Sequence, residues 1–269
     1  MSGPVTDVLV ITGASGGIGR WISASASTFS RVTVLVGRDR QRLEAVAAQC
    51  SGDVRTVVAD VRMPSHLEPM QETITEMAPK RIAVVAAAGV VGPIALPGLE
   101  DASEWESALE TNVIGTYRTV QPFLATMRDN GWGRVVVVSS AQTLHGPDPL
   151  MTSYATAKLA LNAYTACLAA HFAGTGVSAC AIHPGDVFTN MGEDIRRKAE
   201  AAGVPAVHLA EWASRVASDG GDDPREAGDL VAEILTRPAS WSNGRFLLVP
   251  SSIERHPRLP WAMEVGPRQ

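Results

Sequence analysis

Seven short apolar runs recur along the chain, and a stretch of helical periodicity separates each neighbouring pair. The runs are Val8–Ile11, Val32–Val36, Arg55–Ala59, Ile82–Ala87, Arg134–Ser139, Val177–Ile182 and Phe246–Val249. Most are unbroken rather than alternating, a pattern typical of parallel strands that are covered on both faces. The helical stretches are Gly17–Ser30, Asp39–Cys50, Pro64–Met77, Ser103–Arg128, Ser153–Ala173 and Pro224–Leu235. This repetition predicts an α/β fold with a doubly wound, parallel, seven-stranded sheet in the order 3-2-1-4-5-6-7.

The chain is expected to form a single domain over residues 1–269, because no Pro-, Gly- or Ser-rich linker divides it. The polar, alanine-rich and weakly helical segment Thr189–Gly221 interrupts the alternation. We predict that residues 189–221 form a substrate lid, since such sheets hold ligands at the C-terminal ends of their strands; a surface insertion is the alternative. For the Pro- and Arg-rich tail Ser251–Gln269, two interpretations stay open: it covers a neighbouring subunit, or it is disordered.

Composition excludes several classes of protein. Hydrophobic residues make up 45% of the chain, and its net charge of −5 leaves no basic field for a nucleic acid or an anionic membrane. Three scattered cysteines and no histidine pair at metal-site spacing indicate a reducing compartment and no metal. We see neither a signal peptide at the start nor an apolar run long enough to cross a bilayer. We therefore expect a cytoplasmic globular protein.

A glycine-rich turn, Thr12-Gly-Ala-Ser-Gly-Gly-Ile-Gly-Arg20, joins the first strand to the first helix. Its glycines allow the backbone to approach a pyrophosphate, and the helix N-terminus supplies N–H groups for that anion. The sequence therefore predicts a Rossmann-like dinucleotide site. Its residues in this turn are Gly13, Ser15, Gly16, Gly17, Ile18 and Gly19.

The end of the second strand favours NADP(H) over NAD(H). An NAD site usually has a carboxylate here for the ribose 2′-hydroxyl, whereas this chain has Gly37 followed by Arg38. An arginine suits a 2′-phosphate. In the alternative interpretation Arg38 is a solvated loop residue and Asp39 turns towards the ribose. Asp60, after the third strand, is expected at the adenine edge or as the cap of the next helix.

A phenol and an ammonium group are one helical turn apart in Tyr154-Ala-Thr-Ala-Lys158. A nearby cation lowers the pKa of a phenol towards neutrality, which suits an acid or base. Ser140, at the end of the fifth strand, is placed to reach Tyr154. Asn112 is an unusual residue for an apolar helical face, and a water leading to Lys158 would give its amide a partner.

These features closely resemble the short-chain dehydrogenase/reductase family, over residues 12 to about 189. The resemblance implies a catalytic tetrad of Asn112, Ser140, Tyr154 and Lys158, with Lys158 also holding the nicotinamide ribose. Further cofactor contacts are implied at Asp60, Val61, Ala87, Gly89, Pro184, Gly185, Val187 and Thr189. Thr189 would bind the nicotinamide carboxamide. The family association also suggests a homotetramer, or a homodimer, built from the fourth and fifth helices.

The chain departs from the family pattern at three places. The usual Asn-Asn-Ala-Gly after the fourth strand is Ala86-Ala-Ala-Gly89, so the amide that steadies this region is missing. The interval from Ser140 to Tyr154 is about one residue longer than usual. Gly16 replaces a basic residue that often marks 2′-phosphate binding.

The predicted reaction is hydride transfer between a nicotinamide and a small carbonyl or secondary alcohol, with Tyr154 as acid or base. The candidate substrate pocket is largely apolar and consists of His145, Met151, Phe188, Met191 and Trp212. A carrier-bound 3-oxoacyl thioester is the main rival substrate, with Arg118 and Arg128 as its basic patch. An NAD-dependent alcohol or steroid dehydrogenase is a second rival. A non-catalytic nucleotide-sensing protein is a rival from a different functional class.

Overall fold

In the computed structural model, which describes residues 4–253, one parallel sheet runs through the centre of a single domain. Its seven strands lie in the order β3-β2-β1-β4-β5-β6-β7, which confirms the predicted topology. They are β1 Thr6–Thr12, β2 Ser30–Gly37, β3 Asp53–Val58, β4 Ile82–Ala86, β5 Gly133–Val138, β6 Val177–His183 and β7 Phe246–Leu248. The order reverses between β1 and β4, so the crevice for a ligand opens beside these two strands.

Helices cover both faces of the sheet. They are α1 Gly17–Ala26, α2 Arg40–Ala47, α3 Pro64–Glu76, α4 Ala102–Leu109, α5 Gly115–Val120, α6 Leu124–Asn130, α7 Thr152–His171, α8 Asn190–Ala202, α9 Val207–Ser218, α10 Arg225–Thr236, α11 Ala239–Ser242 and α12 Pro250–Ile253. The core of one face contains residues from α3, α5, α6 and α7, and the core of the other contains residues from α1, α2 and α10. None of the helices within residues 4–253 is long and apolar enough to span a membrane.

The unbroken apolar strands are explained by these two cores. Along β1, Val8 and Val10 belong to one core, while Leu9 and Ile11 belong to the other, and all four are fully buried. Successive side chains of a strand point to opposite faces, so a strand covered on both sides needs apolar residues throughout. Each such burial stabilises the fold by about 1.5–3 kcal/mol.

The predicted helix Ser103–Arg128 is interrupted twice. A π-helical turn, Glu110–Ile114, joins α4 to α5, and a short 3-10 turn, Gln121–Phe123, joins α5 to α6. Pro122 explains the second interruption, because proline has no N–H for the helical ladder. The π-turn contains the fully buried Asn112.

The segment 189–221 is more regular than its sequence indicates. It consists mainly of α8 and α9, which pack with residues of the loops after β4 and β5 in a third apolar core. Ile195 and Ala199 of α8 and Ala213 of α9 are buried there beside Val91 and Met151. The helices therefore cover the C-terminal ends of the strands. Of the predicted tail 251–269, Ser251–Ile253 belong to α12, and the remaining residues lie outside the described part of the chain.

Candidate active site

A cavity of about 840 Å³ opens at the C-terminal ends of the strands and continues beneath α8 and α9. Nearly all of the candidate site residues line it. Those present are Gly13, Ser15, Gly16, Gly17, Ile18, Gly19, Arg38, Asp60, Val61, Ala87, Gly89, Ser140, His145, Met151, Tyr154, Lys158, Pro184, Gly185, Val187, Thr189, Met191 and Trp212. Asn112 and Phe188 are not among the lining residues.

The glycine-rich turn has the shape that a bound pyrophosphate requires. Gly13 has φ +68°, and a Cβ there would lie 2.7 Å from the Ala87 carbonyl oxygen. A Cβ at Gly16 would meet nothing within 4 Å, so this part of the turn faces open space. The N-terminus of α1 has no side-chain cap and no acidic residue in its first turn. Its unpaired N–H groups and positive dipole end suit an anion.

Two arginines that follow β2 contribute guanidinium groups to the cavity lining. Arg38 and Arg42 both line the cavity, and a Cβ at Gly37 would lie only 2.8 Å from the Ser15 hydroxyl oxygen. The Asp39 side chain accepts a hydrogen bond from the Arg42 backbone N–H at 3.0 Å and caps α2. The second interpretation of this strand end, in which Asp39 turns towards the ribose, stays a prediction.

Asp60 is paired with a neighbouring guanidinium. Its Oδ2 lies 2.6 Å from Arg62 Nη2, and the hydrogen bond with Arg62 is the main cause that lowers the Asp60 pKa. The cap position of α3 is Met63, without a side-chain cap, so the helix-capping alternative for Asp60 is wrong. Asp60 lines the cavity, and its negative charge is compensated by Arg62.

The three ionisable or hydroxylic groups of the predicted tetrad meet where β5 and α7 approach each other. Ser140 follows β5 directly, and its hydroxyl lies close enough to the Tyr154 phenol to affect the phenol pKa. Lys158 Nζ lies 5.5 Å from the centre of the Tyr154 ring and donates a hydrogen bond to the Val138 carbonyl oxygen at 2.8 Å. The loop through the 3-10 turn Ala141–Leu144 returns the chain into α7, and this brings the serine beside the tyrosine.

The electrostatics of this trio differ from the sequence-based expectation. Burial raises the pKa of Tyr154, the nearby Ser140 hydroxyl opposes that effect, and the Asp186 charge adds to it. Burial also lowers the pKa of Lys158 to about 8. The Tyr154 pKa is therefore shifted upwards, mainly by desolvation, and the expected lowering by the i+4 ammonium is not among the causes of the shift.

Asn112 does not line the cavity, but its side chain holds a segment of the cavity wall. Its Oδ1 accepts from the Val90 N–H at 3.0 Å, and its Nδ2 donates to the Val90 carbonyl oxygen at 2.9 Å. The two bonds hold the loop that follows β4 directly after Gly89. In the same region the Thr12 hydroxyl accepts from the Ala88 N–H at 3.4 Å. These contacts hold the segment in which the family's usual asparagine is replaced by Ala86.

The substrate end contains more polar groups than the sequence indicates. Phe188 is 38% exposed and lies against Gly192 of α8, outside the cavity lining. Additional lining residues, which sequence reasoning missed, are Gln142, Asp148, Asp186, Asn190, Ile195, His208 and Leu209. His208 Nε2 of α9 lies 2.5 Å from Asp148 Oδ2 of the loop after β5. Asp186 directly follows Pro184-Gly185. An acidic residue next to a predicted cofactor contact is the sequence signal that could have identified it as a cavity residue.

The fold and the cavity define a nucleotide-dependent oxidoreductase of the Rossmann type. The sequence model for short chain dehydrogenases matches residues 7–200. An uncharacterized oxidoreductase of Staphylococcus epidermidis is 31% identical over 203 residues, which cover 73% of this chain and 86% of the relative. Oxidoreductase UcpA of Escherichia coli is 29% identical over 262 residues, or 96% of each chain. The crystal structure of levodione reductase superposes with a TM-score of 0.79 at 26% identity, covering 91% of this chain and 96% of that one.

The chain belongs to the short-chain dehydrogenase/reductase family. It is accordingly an NAD(P)-dependent oxidoreductase that acts on CH–OH or C=O groups.

Proposed function

We propose that the protein is an NADP(H)-dependent reductase of small ketones or aldehydes that uses Tyr154 as its proton donor. The observation that carries this proposal is the meeting of Ser140, Tyr154 and Lys158 on the wall of a cavity that also contains the glycine-rich turn. In carbonyl reduction a phenol can donate the proton, and a hydroxyl can donate a hydrogen bond to the carbonyl oxygen. The buried amine beside them can hold the nucleotide cofactor.

The residues present fit a bound dinucleotide. The open turn around Gly16 and the uncapped N-terminus of α1 would hold the pyrophosphate, and Pro184–Thr189 would flank the nicotinamide. Arg38 offers its guanidinium group to a 2′-phosphate, while the carboxylates of Asp39 and Asp60 are paired with Arg42 and Arg62. This charge arrangement supports NADP(H) over NAD(H).

The protein's own groups would position the carbonyl and supply its proton. The nicotinamide supplies the hydride when the cofactor is bound. Ser140 would donate a hydrogen bond to the carbonyl oxygen and stabilise the negative charge that develops there. Tyr154 would transfer its phenolic proton to the same oxygen. Lys158 would hold the nicotinamide ribose, and Asn112 would keep the adjoining wall in place through Val90.

The electrostatics of Tyr154 support the reductive direction near neutral pH. Because burial raises the pKa of the phenol, Tyr154 keeps its proton and is ready to act as an acid. Oxidation of an alcohol would require the phenolate, which becomes more abundant only as the pH rises.

A carrier-bound thioester is less well supported as the substrate. The two arginines of the expected basic patch are paired with carboxylates, Arg118 with Glu110 at 3.2 Å and Arg128 with Asp129 at 2.9 Å. On α8, Arg196 is likewise paired with Glu193 and Glu200. An acidic carrier domain would have to displace these partners.

We further propose a cytoplasmic homodimer or homotetramer. The free thiols of Cys50, Cys167 and Cys180 support a reducing compartment. Ile114 of the π-turn, Tyr117 of α5 and Leu159 of α7 expose large apolar side chains, which supports an interface that involves these helices.

The proposal is tested by following NADPH oxidation at 340 nm against a panel of neutral ketones and aldehydes. We expect turnover of at least one member, and a higher kcat/KM with NADPH than with NADH. A cofactor-bound protein that reduces nothing in the panel would favour a nucleotide-sensing role.

A further inference from the structure

We propose that Asn162 is a positioning residue that holds Ser140 in place beside Tyr154. The inference rests on the proposed carbonyl reduction, in which Ser140 donates a hydrogen bond to the substrate. Asn162 lies on α7, four residues after Lys158, and therefore on the same face of the helix as Lys158 and Tyr154. It does not line the active-site cavity, so any effect of Asn162 on the reaction passes through other residues.

The Asn162 amide binds the chain on both sides of Ser140. Its Oδ1 accepts a hydrogen bond from the Ser139 hydroxyl at 2.7 Å. Its Nδ2 donates to the Thr143 hydroxyl oxygen at 3.0 Å, and that hydroxyl in turn donates to the Ser140 carbonyl oxygen at 2.8 Å. Because Ser139 and Thr143 are buried, these bonds are electrostatically stronger than they would be in water.

The direction of these hydrogen bonds requires an amide at position 162. A hydroxyl has one proton, and Thr143 gives its proton to the Ser140 carbonyl, so the Thr143 oxygen can only accept from residue 162. The Ser139 hydroxyl, by contrast, donates to the same side chain. An amide combines the donor and the acceptor that these two partners need, whereas a carboxylate or an apolar side chain lacks at least one of them.

The turn that Asn162 holds also directs the Ser140 hydroxyl. The N–H and the hydroxyl of Thr143 both donate to the Ser140 carbonyl oxygen, which closes the 3-10 turn Ala141–Leu144. In that turn the Gln142 N–H donates to Ser140 Oγ at 3.2 Å. The Ser140 oxygen is thereby used as an acceptor, and its O–H proton can be donated to a carbonyl group. Asn162 therefore links α7 to the turn that orients the Ser140 hydroxyl.

The experiment is a double-mutant cycle that combines Asn162→Ala with Ser140→Ala. The readout is kcat for a ketone that the wild type reduces, expressed per NADPH-binding site so that unfolded protein does not count. We expect Asn162→Ala to lower kcat about tenfold, because a small misplacement of a catalytic group lowers the rate, and to leave Kd for NADPH within about twofold of the wild type. In the Ser140→Ala background, Asn162→Ala should lower kcat by less than about twofold, since the residue that it positions has lost its hydroxyl.

Asn243→Ala is the matched control. Asn243 also joins α7 to the sheet through two hydrogen bonds, because its Nδ2 donates to the Ala169 carbonyl oxygen at 2.9 Å and its Oδ1 accepts from the Ala179 N–H at 3.0 Å. It lies outside the cavity lining and should leave kcat as in the wild type. Thr143→Val keeps the shape of the side chain and breaks the same link as Asn162→Ala, so it gives the same test if Asn162→Ala does not fold.

Equal losses of kcat from Asn162→Ala with and without the Ser140 hydroxyl would show a general structural role and overturn the inference. A wild-type kcat in Asn162→Ala, when Ser140→Ala is slow, would overturn the inference alone. A wild-type kcat in Ser140→Ala would overturn the role of Ser140 in the proposed function and, with it, this inference.

Discussion

At the scale of single residues, most polar groups of the site already have a partner, and that partner determines which groups can bind a cofactor. Asp39 and Asp60 lie near Arg38 on the cavity rim, but each is already bound to another arginine. Lys158 is buried against the Val138 carbonyl, and Tyr154 lies beside Ser140. Arg38 has no such carboxylate contact among the described ion pairs, so it is the residue on which the cofactor preference depends.

We expect Arg38→Leu to lower kcat/KM for NADPH by about ten- to a hundredfold, the typical loss of a charged hydrogen bond. The value for NADH should change much less, because NADH has no 2′-phosphate. The measurement is the ratio of the two values in steady-state kinetics. Arg31→Leu is the control, since Arg31 is exposed at the start of β2, away from the cavity. Equal losses with both cofactors would contradict the assigned contact.

At the scale of elements, the predictions worked where one local cause decides the structure. Unbroken β-branched runs identified the strands, and the glycine-rich turn identified the start of α1. The π-turn at Asn112 could not be predicted, because the buried amide is satisfied by Val90, which is distant in sequence. Helices α8 and α9 were also missed as regular elements, since their apolar faces are stabilised by contacts with Val91, Ile94 and Leu150.

His208 Nε2 of helix α9 lies 2.5 Å from Asp148 Oδ2 in the loop after β5. We expect His208→Leu to increase amide hydrogen exchange in residues 207–218 by about two- to fivefold, because the net contribution of a hydrogen bond is about 1 kcal/mol. KM for the carbonyl substrate should rise with it.

Mass spectrometry of hydrogen exchange, at the resolution of α9, measures this change. His171→Leu, exposed at the end of α7, is the control and should leave α9 unchanged. Unaltered exchange in His208→Leu would mean that apolar contacts hold α9 in place without the hydrogen bond to Asp148.

At the scale of the whole molecule, the sheet order followed from sequence alone, and the structure has a cavity at the predicted switch point. Parallel topology restricts the choice of arrangements, and residues at strand ends are brought together by any such sheet. The charge distribution of the cavity did not follow, because Asp148 and Asp186 reach it through loops whose path depends on contacts such as those of Asp222. The cavity lining is mainly apolar, as expected, and these two carboxylates are the polar part that the sequence did not indicate.

The exposed apolar side chains of Ile114, Tyr117 and Leu159 lead to a prediction about assembly. Leu159→Glu should place a charge in the proposed interface and convert a dimer or tetramer into smaller species, measured by sedimentation velocity. Leu99→Glu is the control, because Leu99 is even more exposed but lies in the loop before α4. A wild type that sediments as a monomer would contradict the proposed assembly.

The most direct test of the proposed chemistry uses NADPH carrying deuterium at the nicotinamide C4, with a ketone that the wild type reduces. The account predicts deuterium on the carbinol carbon of the product. In Tyr154→Phe the rate should fall at least a hundredfold although the protein folds and binds NADPH, whereas Tyr164→Phe on the same helix should keep the wild-type rate. Deuterium transfer by Tyr154→Phe at the wild-type rate would contradict the assignment of Tyr154 as the proton donor.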